Sequence, residues 1–332
     1  MLLKEHFQNI VRHIKPAQRG DPTLGPLTQL PGTWQNNGNG WNMIALPVRD
    51  GVAPHNFRLL LNQFNETLVF TDLDSPVPNR GRPDDQFGAA LQYIQNVGQL
   101  AAVDSLGSQI SPTGPAAIHH EPGFFINFSE PLTHGEGHEL DLTRLGSVPH
   151  GDALNALGYS DVFQAAGVPD ISPAAIGDFT SLPIGAGPRN LSNPYLAPYK
   201  KFQGIANSFK GTVTLPGFPG FDPNDPLELL TFIPAGGTPP KFASVTRLIL
   251  DTTLGGGIAN TPFVVKQADS TQMRFVMWIE EFEDSTPAKP HFQMQYAQRV
   301  ILEFFPSPEA PSRKIKWPHI SINTLQFVPA AT

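Results

Sequence analysis

The sequence predicts an all-β protein, a closed antiparallel β-barrel of about ten or more strands, and three observations carry that expectation. Segments that alternate apolar and polar residues with a period of two recur along most of the chain. Long helical periodicity is nearly absent beyond the first twenty residues. Proline (35) and glycine (30) together make about a fifth of the 332 residues, above the usual share. They punctuate short segments and form no low-complexity tract. Closing such strands into a barrel removes exposed edges and leaves room for one ligand inside. A β-sandwich with no cavity is the alternative architecture.

The elements follow in order. In "MLLKEHFQNIVRHIK", Leu3, Phe7, Ile10 and Ile14 recur at helical spacing, which predicts a short amphipathic helix within residues 1–20. Glu5, His6, Asn9 and Arg12 interrupt the apolar run that a signal peptide needs. Strands are expected at "GWNMIALPV", "NFRLLLNQF", "ETLVFTDL", "AALQYIQNV", "AAIHHEPGFFINF", "HELDLTRLGSVP" and "DALNALGY". A second set follows at "ASVTRLILDT", "TPFVVKQA", "TQMRFVMWIEEFED", "HFQMQYAQRVILEFF" and "IKWPHISINTLQFV". In "QMQYAQRVIL", Gln293, Gln295 and Arg299 share one face, and Met294, Tyr296, Val300 and Leu302 the other. "MRFVMWIEEF" is largely apolar on both faces, so that strand should be covered on both sides. Between the two sets, about residues 159–240 are dense in Pro, Gly and Asn. They read as an elaborating insertion with a short helix near Tyr199 to Ser208. Residues 21–332 are thus expected to form a single barrel domain.

Composition narrows the function classes. A net charge of −7 with no basic run argues against a nucleic-acid partner. The absence of cysteine excludes disulfides, thiolate metal sites and thiol catalysis, and suits a cytoplasmic location. No apolar run reaches the length of a membrane-spanning helix. A homodimer stays open.

Familiar catalytic patterns are absent: there is no G-x-S-x-G elbow, no phosphate-binding glycine loop ending in Lys, and no H-E-x-x-H. "HGEGH" (His134 to His138) reads as a solvated hairpin tip, and "DSPVPNRGRPDD" as an exposed loop. "DPNDP" lacks the ligand spacing of a calcium loop. Sequons stand at Asn65, Asn127 and Asn190, and are expected to be unmodified. The histidines carry more interest. His119 and His120 are adjacent on a strand, so only one of them can face an interior. His150 precedes Gly151 at a turn, and His319 follows Pro318, which cannot donate to a strand ladder. By residue type alone, a strand histidine is more often a hydrogen-bonded packing residue than a ligand.

Their order along the chain adds a second line. "GTWQNNGNGW" (from Gly32), "NETLVF", "LQYIQ", "IHHEPGFF", "RLGSVPHGDAL" and finally "WPHISINTL" resemble, in succession, the nitrobindin-like haem-binding β-barrels of the lipocalin and fatty-acid-binding-protein group. "GGGIAN" and "MWIEEF" look like segments of the longer bacterial branch of that family. The resemblance spans roughly residues 30–156 and 255–327. The first motif departs from the family's pattern near Asn37, and the long insertion has no counterpart in the small members.

The resemblance implies a b-type haem with His319 as the axial ligand to iron. Neutral imidazole suits iron, and its second nitrogen needs an acceptor to fix the ring. Thr33, Trp34, Tyr93, His119 and Trp317 are then expected around the cofactor, with His120 and His150 as distal catalytic groups. The implied chemistry is sensing of, or reaction with, nitric oxide, peroxynitrite or peroxide. Whether the chain turns over substrate, as a peroxidase or a peroxynitrite isomerase, stays open. The alternative is a non-enzymatic carrier of a fatty acid or another apolar small molecule, with Arg144, Arg274 or Arg299 meeting its carboxylate.

Overall fold

Alternation along the chain becomes a sheet whose pairings return to their starting point. The computed structural model describes residues 11–36, 38–47, 57–80, 85–104, 116–133, 139–184, 196–200, 202, 221–304 and 314–329. Its strands are β1 (His13–Pro16), β2 (Gly32–Gln35), β3 (Gly40–Pro47), β4 (Phe57–Asn79), β5 (Gln86–Asp104) and β6 (Ala116–Thr133). They continue as β7 (Glu139–Val148), β8 (Asp152–Ala166), β9 (Phe242–Asn260), β10 (Asp269–Phe282), β11 (Phe292–Phe304) and β12 (Ile315–Val328). From β4 to β12 each strand pairs antiparallel with the next in sequence. The short β2 and β3 then bridge β12 back to β4, with Phe327 opposite Trp34 and Ile320 opposite Met43. The result is a ring of about ten antiparallel strands.

Two positions make the pleat negotiable. The "GGG" of β9 sits where the register with β8 shifts between Ala156 and Leu157. Gly256 there has φ +91°, and a Cβ on it would lie 2.2 Å from the Asn155 carbonyl oxygen, so only glycine fits the bulge. Between β2 and β3, Asn36 stands in for missing ladder bonds. Its Oδ1 accepts from Glu66 N, and its Nδ2 donates to the Phe64 carbonyl and to Asn323 Oδ1.

Alternation then sorts the apolar residues into two layers. Inside the ring lie Leu68, Phe70, Leu91, Phe125, Leu142, Leu248, Phe275, Met277, Met294 and Leu325. A 3₁₀ turn at Pro22–Leu27 covers one end of this interior, burying Leu24, Leu27 and Leu30. On the outer face of β3, β4 and β9–β12 a second layer forms, where Met43, Leu61, Ile249, Trp278, Ala297 and Ile320 meet Phe179, Leu182, Tyr199, Phe202, Phe221 and Leu230. The described part of the insertion therefore plates one outer side of the ring. It is held by Arg299 on the Asp178 carbonyl, Arg274 on the Ile176 carbonyl (2.6 Å), and a bridge between Ile184 and Lys316. β10 is covered on both faces, as its sequence predicts.

Several expectations change. "TPFVVKQA", expected as a strand, holds a helical turn at Pro262–Val265, and "NFRLLLNQF" and "ETLVFTDL", expected as two strands, run on as one in β4. Residues 13–16 are a strand against Asp72–Ser75 of β4, not part of a helix; Pro16 ends that segment and Ile14 is exposed, so no apolar helical face is buried there. Residues 1–10 lie outside the described residues, as do "HGEGH" and Asn190. The insertion begins later than expected, because β8 runs on to Ala166 against β9. Asp74 to Asn79, expected as loop, extends β4 and pairs with β5.

Candidate functional site

The interior carries more polar chemistry than packing requires. Glu121 of β6 faces inward two residues after His119, and a glycine pair makes its space. Tyr93, Gly123 and Gly146 are successive cross-strand partners on β5, β6 and β7. A Cβ on Gly146 would lie 2.3 Å from Glu121 Oε1, and one on Gly123 would lie 2.7 Å from the Tyr93 ring. Into this space Tyr93 O–H donates to Glu121 Oε1. Arg144 of β7 donates through Nη2 to Glu121 Oε1 (2.9 Å), through Nε to Tyr93 Oη (3.1 Å) and through Nη1 to Gln298 Oε1 (2.9 Å). The Phe275 ring packs under its guanidinium at 4.4 Å. Burial works to raise the Glu121 carboxyl, but the Arg144 charge and the bonds from His119 and Tyr93 outweigh it and bring it down to about 2. Burial lifts the Tyr93 hydroxyl well above its usual value. The network is an ion pair with its lone pairs occupied, the condition under which a buried pair is tolerated.

A second carboxyl stands nearby on β4. Glu66 Oε2 accepts from Tyr296 O–H and from Asn323 Nδ2 (2.8 Å), and Oε1 from Gln95 Nε2 (2.9 Å). Burial raises its pKa against the pull of these three donors. Beneath the two networks the interior is closed. The space among Leu68, Tyr93, Gln95, Phe125, Phe275 and Tyr296 is about 10 Å3, room for about one water.

Above that level three histidines converge. His119 Nε2 lies 3.2 Å from Glu121 Oε2. His150, on the turn between β7 and β8, stacks on His119 with ring centroids 6.0 Å apart. His319 shares the inward face of β12 with Asn323 and Leu325. Burial, and then the neighbouring His119 and His150, lower His319 to about 4, so the ring is neutral at pH 7. His319 is half-buried, and its Nε2 is covered and has no hydrogen-bond partner in the protein. That orphaned nitrogen is the clearest opening for a ligand. Among the described residues no group of three or more His, Asp or Glu side chains is placed to hold a bare metal ion.

The expected residues divide accordingly. His319, His119, His150 and Tyr93 come together at this end of the ring. His120 does not: alternation turns it outward, where it is exposed and bonded through Nδ1 to Asn96 Oδ1 at 2.7 Å. Thr33 faces away from the interior beside its inward neighbour Trp34. Trp34 belongs to the opposite end, donating to the Leu30 carbonyl and packing on Phe327. Trp317 has both faces taken, stacked on Phe304 at 4.8 Å and against Phe57 at 4.5 Å, which leaves none for a macrocycle. Residue-by-residue reading missed Glu66, Glu121, Tyr296, Gln298 and Asn323 as site groups. Glu121 was within reach, since it stands two positions after His119 on the same strand face. The partners of Glu66 come from β5, β11 and β12, and no local pattern joins them. Arg144 is already neutralised by Glu121, and Arg274 and Arg299 face the insertion, so none is free for a carried carboxylate.

Among solved structures the chain is similar to one described as the crystal structure of Rv2717c from M. tuberculosis, at 11% identity and a TM-score of 0.35, covering 92% of this chain and 95% of that chain. No protein-family model and no curated protein matches the sequence. No helix among the described residues is long and apolar enough to cross a membrane.

Proposed function

We propose that the ring of strands is a closed barrel that binds one b-type haem at its histidine-bearing end, with His319 Nε2 as the axial ligand. A single observation carries the reading: a neutral, covered imidazole nitrogen without a partner, on the strand where the sequence resembles the family's ligand motif. Orphaned buried polar atoms are rare unless something absent completes them. The donor set fits, because haem iron needs one protein imidazole, whereas a bare ion needs several ligands. The group would sit above the layer of Tyr93 and Arg144, since nothing larger than a water fits below it.

Haem, once bound, supplies the redox and gas-binding chemistry expected for nitric oxide, peroxynitrite or peroxide. The chain's own residues have other tasks. His119 is oriented by Glu121, which is itself fixed by Arg144 and Tyr93, so the ring meets an incoming small ligand in one orientation. His150 stacks on it from the turn and can pass a proton to solvent, because it is exposed. The aromatic floor of Phe125, Phe275 and Tyr296 keeps water from below.

Reconstitution tests this. Purified protein titrated with haemin should develop a Soret band at one equivalent. His319→Ala should lose most haem affinity while its far-ultraviolet circular dichroism stays β-rich, and added imidazole should restore part of the spectrum. An unchanged Soret band in His319→Ala, or no uptake by the wild type, overturns the assignment.

A further inference from the structure

Two tyrosines inside the ring are bonded alike but stand in different electrostatic surroundings. Each donates its phenolic proton to a buried glutamate, Tyr93 to Glu121 and Tyr296 to Glu66. Two phenylalanines join their rings. Centroids lie 5.5 Å apart from Tyr296 to Phe275, 6.3 Å from Phe275 to Phe125 and 5.2 Å from Phe125 to Tyr93. A bonded carboxylate matters most to a phenol when the phenol is oxidised. Loss of one electron makes the phenolic proton strongly acidic, so the electron leaves most readily where a base is already placed to take that proton.

The surroundings of the two carboxyls decide which tyrosine is suited to this. Glu121 bonds to Arg144, which also donates to Tyr93 Oη at 3.1 Å. That cation makes Glu121 a weak base and opposes removal of an electron from the ring beside it. Among the described residues, the Glu66 side chain bonds only to neutral groups. A chain of amides anchored on the backbone fixes its role. Glu66 N–H donates to Asn36 Oδ1, Asn36 Nδ2 to Asn323 Oδ1, and Asn323 Nδ2 to Glu66 Oε2. Glu66 Oε2 is therefore an acceptor, and burial makes it a stronger base than an exposed carboxylate. Tyr296 lies opposite Asn323, and four residues on, Val300 lies opposite His319. At ~3.3 Å per residue, Tyr296 is about 13 Å along the strand from the level of His319, near enough for an electron to tunnel.

We propose, resting on the haem reading, that Tyr296 is an internal electron donor to the histidine-bearing end, with Glu66 taking its proton. Oxidising equivalents that meet no substrate are then drawn to one chosen ring. One electron leaves Tyr296 for the haem once peroxide has oxidised it, the Oη–H bond breaks, and the proton forms an O–H bond on Glu66 Oε2. A neutral phenoxyl radical and a neutral acid remain, so the pair carries no charge. An electron and a proton need no opening in the wall, and burial keeps water from the radical.

Haem-loaded protein, checked by its Soret band, is mixed with hydrogen peroxide, rapidly frozen and read by electron paramagnetic resonance. A tyrosyl radical should appear, and its signal should narrow in protein grown on ring-deuterated tyrosine. Tyr296→Phe removes only a hydroxyl, so folding is least at risk there, and it should lose most of the signal with the Soret band kept. Glu66→Gln should do the same, because an amide is no base for the proton. Tyr93→Phe should still show the tyrosyl signal. A radical that survives Tyr296→Phe or Glu66→Gln, or one lost in Tyr93→Phe but kept in Tyr296→Phe, overturns the proposal. A Soret band with no tyrosyl radical overturns it and leaves the haem reading standing. No haem uptake overturns both.

Discussion

The two apolar layers of this protein treat their buried glutamates differently. Inside the ring, two carboxyls, an arginine and two tyrosines are joined into networks in which each charge meets a partner. Under the insertion, Arg274 pairs with Asp251 at 2.9 Å and donates to the Ile176 carbonyl, while another acid stands without a cation. There Glu280 is fully buried with a single bond from Gln293, and burial raises it to about 8, so it is protonated at pH 7. The interior binds its carboxyls into networks, whereas the outer layer keeps Glu280 by neutralising it. A fold under no functional demand has little reason to build the first arrangement, because a hydrophobic replacement is often as stable.

The sharpest way to break this contrast is to remove one member of the inner pair. Arg144→Met leaves Glu121 charged and alone, at a cost of about 3–5 kcal/mol in urea unfolding. Arg144→Met with Glu121→Gln should recover most of that loss; strict additivity of the two changes would dissolve the claim of a coupled network. In the outer layer the corresponding change is a cavity. Phe221→Ala should cost about 3 kcal/mol or more. Amide exchange should then accelerate in residues 221–232 before it does in β10, if the insertion opens separately from the ring.

Smaller effects come from the glycine that makes room for the inner network. Gly146→Ala should cost about 1–3 kcal/mol by overpacking against Glu121. A wild-type melting curve would show that the network can shift.

pH separates the two layers most gently. Glu280 has a folded pKa above its ordinary 4.5, so the native state holds its proton while the unfolded chain releases it. Stability from this group is present below about pH 4.5 and declines as pH rises toward 8. His319 has a folded pKa below its ordinary 6.5. Its contribution is present above about pH 6.5 and is lost as pH falls through about 4. Glu280→Gln should flatten the alkaline decline alone, and His319→Gln the acid decline alone. The same slope in both variants would mean that other groups set the profile.

Period-two alternation settled much by itself. It predicts that β10 is apolar on both faces, that Met294 and Tyr296 share a face apart from Gln295 and Arg299, and that only one of His119 and His120 looks inward. Such statements are local, because the pleat alone dictates them. Which face is inside is not local, and there the sequence left His119 and His120 equivalent. Their choice was made by ring closure, which turned the face of β6 that carries His119 and Glu121 inward, toward Tyr93 and Arg144. Tertiary structure also sent Trp34 to the far end of the ring and closed Trp317 between Phe304 and Phe57. It drew Glu66, from β4, to Gln95, Tyr296 and Asn323 on three other strands. Sequence carries the period of a strand, but register and closure depend on pairings between residues as far apart as Glu66 and Asn323. Only the folded chain brings these to 2.8 Å.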